Sequence, residues 1–178
     1  RRHSAAGEVV FLEGEEDVAL EIVQSGWLKA VKISGDGREQ VLHFIGPGEV
    51  SNVVGVFVEA TNPATVIALE PSEVWVIAKQ VMLDLLDQYP PLARAIIQRL
   101  AGRVQQLIGM VEDLSLRSIE SRVARYLLEQ AKDEKVARRR WETQAEMANR
   151  LGTVPDVLSR ALRTLAKAGF IRVERQHI

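Results

Sequence analysis

The sequence predicts an α+β protein in which an antiparallel β-roll precedes a long helix and a C-terminal pair of short helices. Three observations predict this fold. Short β-rich runs separated by glycines fill the chain as far as Ala78, a heptad pattern of apolar residues runs over Ala93–Leu114, and a helix–turn–helix pattern occupies Thr143–Ala168.

The β-roll is predicted by six runs between Gly7 and Ala78, which are VVFL, LEIVQS, WLKAVKI, EQVLHFI, TVIAL and EVWVIA. Turn residues such as Gly35-Asp36-Gly37 and Gly46-Pro47-Gly48 separate them. Because glycine adopts the positive φ that tight turns require, these runs favour antiparallel hairpins over alternating βαβ units.

A long helix is predicted after Lys79, and its central stretch carries a regular apolar seam. Successive seam residues are four and three positions apart, a 3.5-residue period sustained over three heptads, which predicts a two-helix dimer interface. The alternative is that the seam packs on the chain's own β domain. The seam consists of Ala93, Ile97, Leu100, Val104, Leu107, Val111 and Leu114.

The first helix of the C-terminal pair is predicted by its capping residues. A further helix over 119–131 comes before it. Thr143 and Glu146 then form a Thr-x-x-Glu capping box at the start of TQAEMANRL, and Gly152 ends that helix.

The second helix of the pair is expected to begin directly after a tight turn. Thr153 is a candidate cap, and Pro155 stands at the first helical position, where a missing N–H costs nothing. Gly169 ends the helix, and the following FIRVERQHI predicts a β-hairpin.

Charge is divided unevenly along the chain, although the total is only −1. Residues 1–118 carry ten Lys and Arg against sixteen Asp and Glu, a net charge of −6. Residues 119–178 carry thirteen against eight, a net charge of +5. The C-terminal part is therefore the candidate site for a polyanion such as nucleic acid.

Polar side chains on the second helix of the pair have the chemistry that base recognition needs. Asp156, Ser159, Arg160 and Arg163 recur at spacings that share one helix face. An arginine can donate two hydrogen bonds to guanine O6 and N7, and a short carboxylate can accept one from cytosine N4. We therefore predict Arg160 and Asp156 as base-reading residues.

Composition excludes several other classes of protein. The 178 residues are 47% hydrophobic and 26% charged, as in ordinary folded domains. No apolar run approaches the roughly 18–20 residues of a membrane span and no secretory signal is seen, so we expect a cytoplasmic protein without a membrane partner. Without cysteine there is no disulfide and no iron–sulfur cluster. No catalytic set or glycine-rich phosphate loop appears, which argues against an enzyme.

The segment TQAEMANRLGTVPDVLSRALRTLAKAGFI resembles the winged-helix motif of the cyclic-AMP receptor protein and fumarate–nitrate regulator (CRP/FNR) family. SGWLKAVKISGDGREQVLHFIGPGE resembles that family's cyclic-nucleotide-binding-like jelly roll, YPPLARAIIQRLAGRVQQL its dimerisation helix, and SRVARYLLEQA the first helix of its DNA-binding domain. The resemblance implies a sensor domain at 1–88, a dimerisation helix at 89–117 and a winged helix-turn-helix domain at 118–178.

The function implied by the resemblance is sequence-specific transcription regulation. A homodimer would bind an inverted-repeat operator in double-stranded DNA, with RNA polymerase as a further partner and an effector in the β-roll as the control. The alternative is a cyclic-nucleotide-binding-like regulatory or protein-interaction module.

The resemblance also implies roles for individual residues. Asp156 stands where relatives carry a base-reading glutamate, Arg160 where they carry a guanine-reading arginine, and Ser159 at a common serine. Pro155 and Val157 replace polar readers, so the half-site sequence stays open. Arg139, in a run of three arginines, either contacts phosphate or lies in a solvated loop. Family members contact phosphates at the positions of Thr143, Gln144 and Thr153.

The sensor half departs from the family at its phosphate-binding cassette, F-G-E followed by R-x-A. Here Val53 replaces the carboxylate that holds the ribose, and Asn62 replaces the arginine that neutralises the phosphate. Leu107 and Ile108 stand where the long helix would offer hydroxyl groups to the base. We therefore expect an apolar pocket and an effector other than cyclic AMP.

The identity of the effector stays open at this point. One possibility is a small apolar or aromatic ligand, haem included, with His43 on a strand beside the pocket as a candidate iron ligand. The other is a pocket filled by side chains with no ligand, in which His43 is an ordinary core or surface histidine. No spacing of metal-ligating residues predicts a metal site.

Overall fold

A computed structural model describes residues 1–16, 19–58, 61–133, 135–136 and 139–174 of the chain. The protein forms two compact units, Arg1–Leu107 and Ile108–Ile178. The domain boundaries expected at residues 88/89 and 117/118 stay predictions. Within the described residues, no helix combines the length and apolar character that crossing a membrane requires.

The first unit is built on two four-stranded antiparallel sheets. One has the strand order β1-β8-β3-β6 and the other β2-β7-β4-β5. In chain order the strands are β1 Arg2–Ser4, β2 Val9–Phe11, β3 Ala19–Ser25, β4 Leu28–Ile33, β5 Glu39–Ile45, β6 Val50–Ser51, β7 Thr65–Ala68 and β8 Ser72–Ala78.

Hairpin and cross-strand pairing close these sheets around a shared core. β3 pairs with β8 along almost its whole length, and β4 lies between β5 and β7. The core between the sheets is apolar and contains Val10, Phe11, Val23, Leu28, Ala30, Ile45, Val66, Ala68 and Val74. The predicted antiparallel roll is confirmed.

The described residues also form six helices. In order they are α1 Val53–Phe57, α2 Lys79–Gln88, α3 Pro90–Leu116, α4 Ile119–Gln130, α5 Gln144–Arg150 and α6 Pro155–Lys167. In the first unit, Leu20 of β3 packs with Val56 of α1, Met82 of α2 and Ile96 of α3. This second apolar cluster joins the helices to the sheet that contains β3.

The second unit has its own core, formed by the buried faces of α4, α5 and α6. Its buried members are Val123, Tyr126, Leu127, Val136, Met147, Ala148, Leu151, Leu158, Ala161, Leu162 and Leu165. At the start of α4, the Ser118 hydroxyl accepts a hydrogen bond from the Ser121 N–H at 3.3 Å. Serine at this position satisfies a donor that the first turn of a helix leaves free.

The elements predicted from sequence agree closely with those observed, with four exceptions. The six predicted β-runs all contain strands, but β1, β6 and α1 are not predicted, because two to five residues give too short a pattern. The predicted hairpin after Gly169 is not seen in residues 170–174, which form no strand, and residues 175–178 of FIRVERQHI lie outside the described residues. This part of the wing prediction is therefore wrong for 170–174.

Candidate nucleic-acid interface and effector pocket

α5 begins at a threonine cap. The Thr143 hydroxyl accepts a hydrogen bond from the Glu146 N–H at 3.2 Å. This bond is the half of the predicted capping box that Thr143 supplies, and the N–H of Thr143 donates to the Trp141 carbonyl at 2.8 Å. The cap fixes the start of α5 at Gln144.

A four-residue turn joins α5 to α6. Gly152 adopts φ 63°, in the left-handed region that favours glycine, and the Thr153 N–H donates to the Ala148 carbonyl at 3.0 Å. The expectation that Thr153 caps α6 is wrong, because the cap residue is Val154, whose side chain accepts no hydrogen bond. Pro155 occupies the start of the helix, as predicted.

α6 is strongly amphipathic, and its apolar face fixes which residues point outward. Leu158, Ala161, Leu162 and Leu165 are buried in the core of the second unit. Because residues three and four apart share a helix face, burying this row leaves the opposite row in solvent.

The solvent-facing row of α6 carries the predicted base readers. Asp156, Arg160 and Arg163 are all exposed, and Ser159 is half-buried. The Arg163 Nε donates to the Ser159 carbonyl at 3.3 Å, and the Thr164 hydroxyl donates to the Arg160 carbonyl at 3.1 Å. Both bonds stay within α6.

The residues predicted to contact phosphate lie near the N-terminal ends of α5 and α6. Thr143 and Gln144 are exposed and Thr153 is half-buried. The Ser159 hydroxyl donates to the Gln144 Oε1 at 3.4 Å, which links the two helices of the motif on their polar side. Helix N-termini carry free N–H groups and partial positive charge, which favours phosphate.

The arginine run before α5 is partly described. Arg139 and Arg140 are exposed, whereas Arg138 lies outside the described residues. The Arg139 N–H donates to Glu142 Oε2 at 3.4 Å, and the other oxygen of Glu142 accepts a hydrogen bond from the Tyr126 hydroxyl of α4. The segment that carries Arg139 is thus attached to the core of the unit.

α4 holds the turn of the motif in place. The Arg122 Nη1 donates to the carbonyl of Leu151, the first residue of the turn, at 2.5 Å. Arg125 pairs with Asp113 at 2.9 Å and with Glu129 at 2.8 Å. Burial lowers the pKa of Arg150 below its ordinary value. The charges of Arg122 and Arg125 are therefore used in contacts within this unit, whereas Arg160 and Arg163 of α6 are exposed.

In the first unit, the cassette position that relatives fill with arginine is closed by internal hydrogen bonds. Asn62 is buried, and its Oδ1 accepts from the Asn52 side chain at 2.8 Å. Its Nδ2 donates to the Leu12 carbonyl at 3.3 Å, and its backbone bonds to Gly14 and Glu15. Asn62 therefore connects the cassette to the loop after β2.

A buried carboxyl group lies beside the cassette. Glu21 of β3 has no exposed surface, and it shares a strand face with Val23, which packs between the two sheets. The Ser51 hydroxyl donates to its Oε2 at 3.5 Å, and the Arg2 guanidinium lies 3.6 Å from its Oε1. Burial raises the pKa of Glu21 to about 7, although Arg2 and the Ser51 hydrogen bond act in the opposite direction.

The cavity found in the first unit contains only one of the predicted pocket residues. Val53 of α1 lines it, and it has a volume of about 260 Å³. His43 lies half-buried on β5, opposite Ala30 of β4, and does not line it. Leu107 and Ile108 are exposed on α3. The structure therefore does not bring the five predicted pocket residues together around this cavity.

Sequence reasoning missed Glu21 and the cavity-lining residues of β3, α2 and α3. Glu21 lies between Leu20 and Ile22, and the alternation of a strand with one solvated face would place a charged residue at this position in water. Here both faces of β3 are covered. A carboxylate in a strand with apolar neighbours on both sides was the available signal.

The architecture consists of a β-roll, a long helix and a helix-turn-helix unit. It defines a class of protein in which a sensor domain is joined to a DNA-binding domain. The cyclic nucleotide-binding domain family model matches residues 1–89, and the Crp-like helix-turn-helix domain model matches residues 121–178. The chain belongs to the CRP/FNR family of DNA-binding transcription regulators.

Individual relatives agree with this assignment. The cyclic AMP receptor protein of Thermus thermophilus is 27% identical over 97% of this chain and 80% of its own length. A CRP-like cAMP-activated global transcriptional regulator of Mycobacterium tuberculosis is 28% identical, with the same coverage. The solved structure of FixK2 from Bradyrhizobium japonicum shares the fold, with a TM-score of 0.83 at 21% identity over 99% of this chain and 90% of that chain.

Proposed function

We propose that the protein is a homodimer that binds an inverted-repeat operator in double-stranded DNA and reads base edges with α6. The observation that carries this proposal is the division of α6 into a buried apolar face and an exposed polar face. The exposed face presents Asp156, Arg160 and Arg163 with no ion pair among the described residues. Apart from the bond from the Arg163 Nε to the Ser159 carbonyl, their polar groups can therefore meet DNA.

Within this proposal the side chains have different tasks. Arg160 donates two hydrogen bonds to a guanine, and Asp156 accepts one from a cytosine. Arg163 and Ser159 flank them on the same helix. Contacts with phosphate, which set the position of the helix in the groove, come from Arg139, Thr143, Gln144 and Thr153.

The seam of α3 supports a dimer. In the single chain Ile97 is 65% exposed, Val104 55% and Val111 63%. Aliphatic side chains in a heptad row would be removed from water by a second copy of the same helix. A two-fold axis along this seam presents two copies of α6, which is why the operator should be an inverted repeat.

The effector is proposed to be something other than a cyclic nucleotide, although the printed names of the two relatives given above mention cyclic AMP. Val53 offers no acceptor for a ribose hydroxyl, and Asn62 offers no charge to a phosphate. Glu21 adds a buried carboxyl group next to Ser51. Enclosing an anion without a cationic partner is costly, and a nearby carboxylate increases that cost.

The remaining properties follow from this role. We propose that RNA polymerase is the protein partner, that the protein acts in the cytoplasm, where its DNA target lies, and that it is not an enzyme. The relatives reported above are transcription regulators by name.

The dimer and its operator are tested together by operator selection from random DNA and by analytical ultracentrifugation. We expect an inverted repeat with half-site centres about 34 Å apart, one helical turn, and a dimer at micromolar concentration. Val111→Glu should give monomers that bind the operator weakly, whereas Gln105→Glu, exposed on the same helix outside the seam, should leave the dimer intact. A wild-type monomer at micromolar concentration contradicts the proposal.

A further inference from the structure

The cavity of the first unit lies on the outer side of β3, away from the roll core that contains Val23. It is bounded by the sheet residues Leu20 and Ile22 and by helices α1, α2 and α3. Ten of its eleven lining residues are apolar, and the eleventh is Arg99; the apolar ones are Leu20, Ile22, Val50, Val53, Ile77, Met82, Leu85, Leu92, Ala95 and Ile96.

The size of the cavity sets the size of its occupant. Its volume is about 260 Å³. An apolar cavity of about 150 Å³ stays free of water and accepts a benzene ring, so the same proportion gives room for roughly ten carbon atoms. An apolar lining without paired polar groups favours a hydrocarbon over water.

Arg99 determines what the polar end of that occupant must be. Its guanidinium donates one hydrogen bond, to the Gly48 carbonyl at 3.2 Å, and forms no ion pair within the described part of the chain. The side chain is exposed, so the charge lies at the solvent side of the cavity. A planar guanidinium with free N–H groups matches a carboxylate.

We propose that this cavity binds a medium-chain aliphatic carboxylic acid of about ten carbons, with its chain against the outer face of β3 and its carboxylate on Arg99. The site is separate from the cassette, because neither Asn62 nor Ser51 lines it. Binding as such is independent of DNA recognition, and a regulatory effect of the acid rests on the function proposed above.

Two of the helices that line the cavity, α1 and α3, also connect to other parts of the chain. α1 follows the cassette strand β6, and α3 continues from the cavity residues Leu92 and Ile96 to Leu116. A ligand that binds one arrangement of α1 and α3 more tightly than another shifts the population toward that arrangement, which is what an effector must do.

Isothermal titration calorimetry of the full chain with decanoate, 1-decanol and decylamine tests the charge and chain requirements together. We expect saturable binding of decanoate, about tenfold weaker binding of decanol and no detectable binding of decylamine. Arg99→Gln should weaken decanoate about tenfold and leave decanol unchanged, whereas Arg94→Gln, exposed on the same helix but outside the cavity, should change neither.

The location is tested by photocrosslinking with a diazirine-bearing decanoate, followed by peptide mass spectrometry. Labels on α3 between Leu92 and Arg99 support the proposal, and labels confined to the roll interior around Val23 and His43 overturn it. Equal binding of the three probes, or no binding of decanoate, also overturns it. Operator binding is measured on the same preparations without decanoate. If the protein binds its operator but not decanoate, only the decanoate site is rejected and the proposed function stands.

Discussion

The two functional regions of the molecule treat their polar side chains in opposite ways. On α6, Asp156, Arg160 and Arg163 are exposed, and their hydrogen bonds stay within the helix. In the sensor cassette, Asn62 and Glu21 are buried and engaged with other protein groups. The predicted DNA-reading face thus keeps its charged groups in water, whereas the polar groups in and beside the cassette are held by other protein groups.

The largest expected effect is on the buried apolar face of α6. Leu158→Ala removes a side chain with no exposed surface from the core of the second unit, which should cost about 2–5 kcal/mol in free energy of unfolding. Hydrogen exchange followed by mass spectrometry should show the loss in peptides from α5 and α6. The matched change Leu128→Ala, at a side chain 79% exposed on α4, should cost less than about 0.5 kcal/mol. Equal losses in the two variants would contradict the assigned burial.

The next effect is the pH dependence of the free energy of unfolding that Glu21 causes in the sensor half. Because the pKa of Glu21 is raised from 4.5 to about 7, the folded unit holds a proton that the unfolded chain releases. The contribution of Glu21 to stability is therefore fully present below about pH 4.5 and is lost as pH rises through about 7, a change of about 3 kcal/mol. Glu21→Gln should be close to wild type at pH 4.5 and more stable by about that amount at pH 8.

Urea unfolding of the wild type and of Glu21→Gln between pH 4.5 and 8 measures the difference in free energy of unfolding. Glu73→Gln, the same substitution on the neighbouring strand β8, is the control. A gap between wild type and Glu21→Gln that stays constant from pH 4.5 to 8, or that widens toward acid, contradicts the raised pKa.

The smallest expected effect is an absence of binding. Cyclic AMP and cyclic GMP should give no saturable heat in calorimetric titrations at concentrations up to the millimolar range. Val53 offers the ribose no acceptor, Asn62 offers the phosphate no charge, and Glu21 places an acidic group beside the cassette. Micromolar affinity for either nucleotide, together with tighter operator binding, would overturn the proposal that the effector is not a cyclic nucleotide.

How much the sequence predicts depends on how local the determining interactions are. The start of α5 at Gln144 and the amphipathic faces of α6 follow from residues within a few positions, so capping and periodicity predicted them. The cap of α6 is Val154 and not the predicted Thr153, because Thr153 still belongs to the turn, where its N–H donates to the Ala148 carbonyl. These are errors of register within a correct motif.

The sensor half was less predictable because its site depends on contacts distant in sequence. The partners of Glu21 are Arg2 and Ser51, which are distant from it in sequence. The cavity likewise brings together residues between Leu20 and Arg99. The family cassette directed attention to Val53 and Asn62, but no local pattern indicates that the outer face of β3 leaves space beneath α2 and α3. Packing of separate elements produces that space.

Base recognition by Arg160 of α6 is tested by measuring the binding of Arg160→Ala and Arg139→Ala to the selected operator and to an operator in which the contacted guanine is replaced. Fluorescence anisotropy at several salt concentrations gives affinity, discrimination and salt slope together. We expect Arg160→Ala to lose about 1–3 kcal/mol on the selected operator and its preference for guanine. Arg139→Ala should weaken both operators alike and reduce the salt slope by about 0.9. If Arg160→Ala keeps the wild-type preference for guanine, the claim is wrong.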